Sequence, residues 1–157
     1  MTKLLMVCMG NICRSPMAQI VTQHLAQQAG LAHQIQVDSA GTHAARSKEP
    51  PDPRAKTVLS ARGYPIGKTR SRQVTEQDFE RYDLILAMDQ ANLNDLRRIC
   101  PNDHVHKLRL FLEFAIGLEV RDVPDPYYGS PLGFEHVLDL CEAGARGLVA
   151  HHRNVSP

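Results

Sequence analysis

Two side chains near the start of the chain can do chemistry together. Cys8 and Arg14 close a Cys-x5-Arg stretch, Cys8-Met9-Gly10-Asn11-Ile12-Cys13-Arg14, which runs on into Ser15 and Pro16. Gly10 and Asn11 best tolerate left-handed backbone angles, so the stretch can curl until successive backbone N–H groups point inward and form a cup for an anion. Ser15 suits an N-cap and Pro16 a first helical residue, which would turn the free N–H groups of a helix N-terminus toward the same cup. A thiol at its floor, among N–H dipoles and beside a guanidinium, is expected to serve as a thiolate nucleophile, because such surroundings favour the charged form. Arg14 offers a planar fork of donors matched to two oxygens of a tetrahedral oxyanion such as phosphate. Cys-x5-Arg alone is a weak signal; the glycine, the serine and the proline around it supply the specificity.

If the cup holds a phosphate monoester, the departing oxygen needs a proton, and Asp125 is the candidate donor. In Val123-Pro124-Asp125-Pro126-Tyr127-Tyr128-Gly129 two prolines stiffen the backbone around one carboxylate. Tyr127 and Tyr128 offer flat walls for an aromatic group. Each residue also has a plainer reading. Cys8 could be a core cysteine beside a surface arginine, and Asp125 a turn aspartate between prolines, a common use. Together they favour the chemical reading. Cys13 is either a packing residue or a thiol close enough to capture an oxidised Cys8.

The elements that would position these groups follow from periodicity. Leu4-Leu5-Met6-Val7 is an apolar run suited to a fully buried strand ending at Cys8. From Pro16, Met17, Ile20, Val21, His24 and Leu25 fall at helical spacing, with Gly30 as the stop. Residues 34–38 alternate as a second strand, and 41–53 read as a long loop rich in proline. A short helix is expected over 54–62. Thr75 is placed to cap another, through Arg81. Residues 83–88 form a further buried-strand run, followed by a helix from Asp89 carrying Leu93, Leu96 and Cys100. A short strand is expected over 104–108, an apolar helical segment over 110–116 and a loop over 117–133. The last helix bears Phe134, Val137, Leu138, Cys141, Ala145, Leu148 and Val149 on one stripe. Strands alternating with helices indicate an α/β fold with an open parallel sheet, in which ligands sit at the carboxyl ends of strands. Cys8 and Asp89 both lie at such ends.

The 157 residues suit a single domain, 1–157, with 153–157 as a frayed tail. Lys plus Arg number 18 against 17 Asp plus Glu, a net charge of +1, so no overall field points to nucleic acid or a membrane. The apolar runs fall short of a bilayer span and the N-terminus leads straight into a strand, from which a soluble, cytoplasmic protein is expected. The four cysteines are expected to be reduced, with Cys100 and Cys141 in the core. His104, His106, His151 and His152 lack partners at ligand spacing, so no metal site is expected. Gly63 to Thr69 is one residue short of a nucleotide-binding loop and is read as an ordinary loop. Arg70 and Arg72 are read as solvated.

Taken whole, Val7-Cys8-Met9-Gly10-Asn11-Ile12-Cys13-Arg14-Ser15-Pro16 closely resembles the signature of the low-molecular-weight protein tyrosine phosphatases. The Asp125-Pro126-Tyr127-Tyr128-Gly129 stretch resembles their general-acid loop, and Val37-Asp38-Ser39-Ala40, Pro50-Pro51-Asp52 and Ala87-Met88-Asp89 extend the likeness over almost the whole chain. The resemblance implies three layers, with a central four-stranded parallel sheet flanked by helices and a phosphate-binding loop, Met9 to Ser15, after the first strand. It implies a phosphotyrosine phosphatase working through a cysteinyl-phosphate, with no metal or cofactor and with tyrosine-phosphorylated proteins as substrates. Cys8 would be the nucleophile, Arg14 the phosphate clamp and Asp125 the acid. Asn11 and Ser39 would brace the loop, Ser15 would donate to the thiolate, and Ile12, Tyr127 and Tyr128 would line the substrate pocket. The resemblance favours Cys13 as the redox partner of Cys8. A monomer or weak dimer is expected.

Two departures from the family stand out. Thr69 lies where a histidine often helps hold the loop asparagine, and His43, Ala44 and Ala45 lie where eukaryotic relatives place a pocket aromatic. Three rival activities are weighed. An arsenate reductase on the same fold needs a relay of further cysteines, and residues 84–103 hold only Cys100. A protein-arginine phosphatase tends to carry threonine where Ile12 stands. A non-catalytic phosphate-binding module would not need to keep both Cys8 and Asp125.

Overall fold

The computed structural model describes residues 1–127, 129 and 131–155. Its centre is β1 (Thr2–Cys8), hydrogen-bonded in parallel on one side to β2 (Ile35–Gly41) and on the other to β3 (Leu84–Ala87), with β4 (Leu108–Leu110) beyond β3. A central parallel strand is covered on both faces, which is why β1 uses consecutive apolar residues. Leu4 and Met6 point into one core with Met17 and Val21 of α1 (Arg14–Gln28), Leu59 of α2 (Pro53–Ala61) and Phe134 and Leu138 of α5 (Pro131–Val155). Leu5 and Val7 point into a second core with Phe79 of α3 (Glu76–Arg81) and Leu93 and Leu96 of α4 (Gln90–Ile99). The result is the expected three-layer α/β fold. Because the strands are parallel, with Cys8 opposite Gly41 and Val7 opposite Ala87, the carboxyl ends of β1, β2 and β3 meet at one edge. No helix among the described residues is long and apolar enough to cross a membrane.

Four boundaries differ from the expectations. Helix α1 begins at Arg14 with Cys13 at the N-cap position, so Ser15 does not cap it. The Ser15 hydroxyl lies instead 3.0 Å from Cys8 Sγ. The strand expected at 104–108 is a tight 3-10 turn, Asn102–Lys107, with β4 starting only at Leu108. There Lys107 Nζ donates to the Phe79 carbonyl at 2.7 Å, closing the end of α3, before ladder bonding begins. The segment 110–116 yields one 3-10 turn, Phe111–Phe114, because it lies directly on α5. A Cβ added at Gly147 would stand 1.6 Å from the Phe114 carbonyl oxygen. Helix α5 begins at Pro131, ahead of Phe134, and runs on to Val155, through three of the five residues read as a tail. The Thr75 cap forms as expected, its N–H donating to Asp78 Oδ2 at 2.8 Å.

Candidate active site

The loop between β1 and α1 is built around Asn11, whose φ of +59° lies in the left-handed region. Asparagine is among the few side chains that adopt this conformation. It is buried, at 1% exposure, and its amide is fully used. Nδ2 donates to Ser15 Oγ at 2.8 Å and to Ser39 Oγ at 2.9 Å, while Oδ1 accepts from the backbone N–H of Arg72 at 2.9 Å. Ser39 passes its proton on to Gln19 Oε1 at 2.6 Å. Ser15 Oγ accepts from Asn11 and has its one proton to give either to Cys8 Sγ, at 3.0 Å, or to the more distant Ala40 carbonyl, at 3.5 Å. The Asn11 backbone N–H donates to the Cys8 sulfur, at 3.3 Å. Cys8 is thus buried at the floor of the cup with the Asn11 N–H aimed at it and the Ser15 hydroxyl in contact. Gly41, at the end of β2, lets the loop sit close, because a Cβ there would lie 2.6 Å from the Met9 carbonyl oxygen.

Arg14 forms the inner wall. Its guanidinium is buried, and Nη1 donates to Asp89 Oδ2 at 2.5 Å and to the Val123 carbonyl at 3.0 Å. Burial opposes the charge, but the bond to Asp89 and the neighbourhood of Cys8 and Asp125 hold Arg14 cationic, above its ordinary value. Asp89 is itself fixed as the N-cap of α4, with Oδ1 accepting from the Asn92 N–H at 2.8 Å. Across the cavity Asp125 is half-exposed, 3.8 Å from Arg14 Nη2, and its Oδ1 accepts from the Tyr127 N–H at 3.1 Å. The start of this segment is tied to the sheet by the Val123 N–H donating to the Met88 carbonyl at 2.8 Å.

These groups enclose a pocket of about 230 Å³ in which Cys8, Ile12, Arg14, Asp125 and Tyr127 face one another, with Met9 on the rim. Such a pocket can hold a tetrahedral oxyanion between a sulfur and a carboxylate. A wider pocket of about 590 Å³ adjoins it, sharing Ile12 and Tyr127 and lined also by His43, Ala45, Arg46 and Lys56. The structure therefore brings together Cys8, Asn11, Ile12, Arg14, Ser15, Ser39, Asp125 and Tyr127, as the sequence reading expects. Tyr128 lies outside the described residues. Cys13 is buried beside the pocket, and burial first, then Asp52, Cys8 and Asp125, pushes its thiol up to about 12. All four cysteines are unbridged.

One reading is corrected. Arg72 is not solvated: Nη1 and Nη2 each hold one oxygen of the buried Asp78 at 2.9 Å, and the Arg72 N–H makes the Asn11 contact. Thr69 takes no part in that contact and lies in a shallow pocket with Ile20 and His24. Asp89, Asp52, Arg54, Arg72 and Asp78 carry no assigned role from sequence alone. For Asp89 a signal existed, a carboxylate at the end of a buried strand ahead of a helix. For Arg72 there was none, and Asp78 reads only as part of the acidic first turn behind Thr75, which does not show that it is buried against Arg72.

Known proteins resemble this chain over most of its length. A family profile described as low molecular weight phosphotyrosine protein phosphatase matches residues 3–155. A low molecular weight protein-tyrosine-phosphatase of Streptomyces coelicolor is 43% identical over 147 residues, 92% of this chain and 89% of its own. The human low molecular weight phosphotyrosine protein phosphatase is 36% identical over 140 residues, 87% of either chain. A crystal structure of a low molecular weight phosphotyrosine phosphatase from Vibrio cholerae O395 matches with a TM-score of 0.94 at 41% identity, over 100% of both chains.

Proposed function

The chain belongs to the low molecular weight phosphotyrosine protein phosphatases, enzymes that hydrolyse phosphotyrosine, and on that premise we propose that Cys8, Arg14 and Asp125 divide the reaction between them. Cys8 Sγ attacks phosphorus in line, forming the S–P bond as the bond to the tyrosine oxygen breaks. The backbone N–H groups of the loop and Arg14 hold the equatorial oxygens, and Asp125 gives its proton to the departing phenolate. Water then attacks the cysteinyl-phosphate, its proton passing to Asp125, and inorganic phosphate leaves as the S–P bond breaks. The proton on Asp125 is thereby restored, and neither step calls for a metal or cofactor. Ser15 donates to the sulfur when it leaves, and Asn11 and Ser39 keep the cup in shape.

The observation that carries this reading is one pocket with the Cys8 sulfur on its floor, Asp125 at its mouth and the Arg14 guanidinium beside both. Ile12 and Tyr127 favour an aryl ester over phosphoarginine. The substrates are tyrosine-phosphorylated proteins, and a monomer suffices because every group named comes from one chain. Cys13, in the same loop, captures Cys8 after its oxidation to a sulfenic acid, forming a disulfide with loss of water. A reducing compartment such as the cytoplasm suits both thiols.

The test is aryl phosphate hydrolysis in excess chelator by wild type, Cys8→Ser and Asp125→Ala. Loss of turnover in Cys8→Ser and a fall of about a hundredfold or more in Asp125→Ala are expected. Activity that survives Cys8→Ser, or that requires added metal, overturns the scheme. A Cys8→Ser substrate trap that enriches phosphoarginine proteins overturns the specificity.

A further inference from the structure

The cup and the acid segment are far apart in sequence, and their spacing must be set by something other than the reacting groups. The Asp52 backbone N–H donates to the Ile12 carbonyl at 2.7 Å, which fixes Asp52 to the back of the phosphate-binding loop. Its buried carboxylate receives Arg54 on both oxygens, from Nε at 3.0 Å and from Nη2 at 3.0 Å. The third nitrogen of the same guanidinium, Nη1, donates to the Tyr127 carbonyl at 2.9 Å. The guanidinium plane lies over the rings of Phe134 and Tyr127, 4.7 and 5.3 Å from their centroids. Tyr127 in turn gives its N–H to Asp125. Arg54 thus ends a path from Ile12 through Asp52 and begins one through Tyr127 to Asp125, without lining the small pocket itself.

We propose that Arg54 is a positioning residue for Asp125, a pin that holds the acid segment at a set distance from the phosphate-binding loop. The inference rests on the reading of Asp125 as the general acid. Capping α2 does not require this reach, since the Asp52 carboxylate already accepts the Arg54 backbone N–H at 2.8 Å. Three donors of a rigid fork are used in two directions, which lysine cannot reproduce. The start of the acid segment is held separately, by Val123 on Met88. Releasing Arg54 therefore loosens the far side of the turn that carries Asp125, while the cup keeps the ties of Asn11 to Ser15, Ser39 and Arg72.

A misplaced acid costs most where the leaving group most needs a proton. The experiment measures kcat/KM for Arg54→Ala and Arg54→Lys over a series of aryl phosphates, from dinitrophenyl to phenyl. Both variants are expected to lose about tenfold on phenyl phosphate and less than about twofold on dinitrophenyl phosphate. Competitive inhibition by inorganic phosphate, which reports the cup, is expected to stay within about twofold of wild type. Arg54→Lys keeps a cation near Phe134 and serves if Arg54→Ala does not fold. In the double variant with Asp125→Ala, the Arg54 change is expected to add nothing on phenyl phosphate. An equal loss across the series, or additive losses in the double variant, overturns the pin. If Asp125→Ala alone leaves the leaving-group dependence unchanged, it is the assignment of Asp125 that fails.

Discussion

Asp78 of α3 does not line the pocket, yet its replacement is expected to damage both stability and turnover. Its side chain is 3% exposed and binds both ends of the Arg72 fork at 2.9 Å, while Oδ2 also accepts the Thr75 N–H that caps α3. Breaking a fully buried ion pair by removing one partner costs about 3–5 kcal/mol. Arg72 is 35% exposed and can rehydrate in part, which lowers the expected cost to about 2 kcal/mol. Loss of the cap adds about 1 kcal/mol. For Asp78→Ala the sum is about 3 kcal/mol, a fall of about 6–12 °C in melting temperature for a chain of this length. The effect reaches the pocket because Arg72 also supplies the N–H that holds Asn11, and its carbonyl accepts from the Gly41 N–H at 2.8 Å. With that backbone loosened, kcat/KM on an aryl phosphate is expected to fall about tenfold at temperatures where the variant is fully folded. Thermal melts and steady-state kinetics on Asp78→Ala, Arg72→Ala and the double variant decide the matter. The double variant is expected to be more stable than the two single losses sum to, since it leaves no unpaired charge. Strict additivity, or a melting temperature within about 2 °C of wild type for Asp78→Ala, refutes the reasoning.

Gly147→Ala is expected to be among the worst single substitutions, above about 4 kcal/mol, since the new Cβ would meet backbone atoms of Phe114; insoluble expression or a denaturant midpoint near zero checks it, and a well-folded variant contradicts the close packing of α5. Stability is also expected to fall in alkali: the Cys13 thiol is pushed from 9.0 up to about 12 and the Tyr82 hydroxyl from 10.0 up to about 12, by burial first and then by Asp52 and Asp38 respectively. Both groups ionise earlier in the unfolded chain, so the stability they lend is complete below pH 9 and is lost as pH rises toward 12. Urea unfolding at pH 8 and pH 10.5 should show the decline, and Cys13→Ala should lessen it.

The parts of the molecule that can be read from its sequence are those where one local pattern answers to one physical need. Leu4 to Val7 reads as a buried central strand because both faces are covered. The cup can be read from Asn11, since few residues allow the left-handed turn that it makes; Gly10, expected to share that turn, does not adopt a positive φ. The short strand β4 cannot, because its three residues pair only after Lys107 has closed the end of α3, a contact with residues far away in sequence. The start of α1 is misread for a related reason. Ser15 has the chemistry of a cap, but the same hydroxyl is needed by Cys8 and Asn11, and the site takes it. The histidine missing at Thr69 leaves no gap, since a backbone N–H serves Asn11, and a backbone donor has no signature in side-chain identity.

The two halves of the site are held by unequal means. Asn11, Arg14 and Ser15 are all buried, and each is tied by side-chain hydrogen bonds to elements of the rigid sheet edge or its flanking segment. Asp125 and Tyr127 are about 40% exposed, with the segment fixed at Val123 and again through Arg54. Local opening favours segments with exposed hydrogen bonds and little buried apolar area, so the acid side of the pocket can yield while the cup stays closed. That difference matches what the two halves must do. The cup has to be complete before the anion arrives, because its N–H groups stabilise charge only when they are already oriented. On the proposed scheme the other half has to accommodate a bulky aryl ester and bring Asp125 within reach of its oxygen. Arg54, part exposed and tied to the back of the cup through Asp52, gives the second half its distance from the first by a polar link rather than by packing.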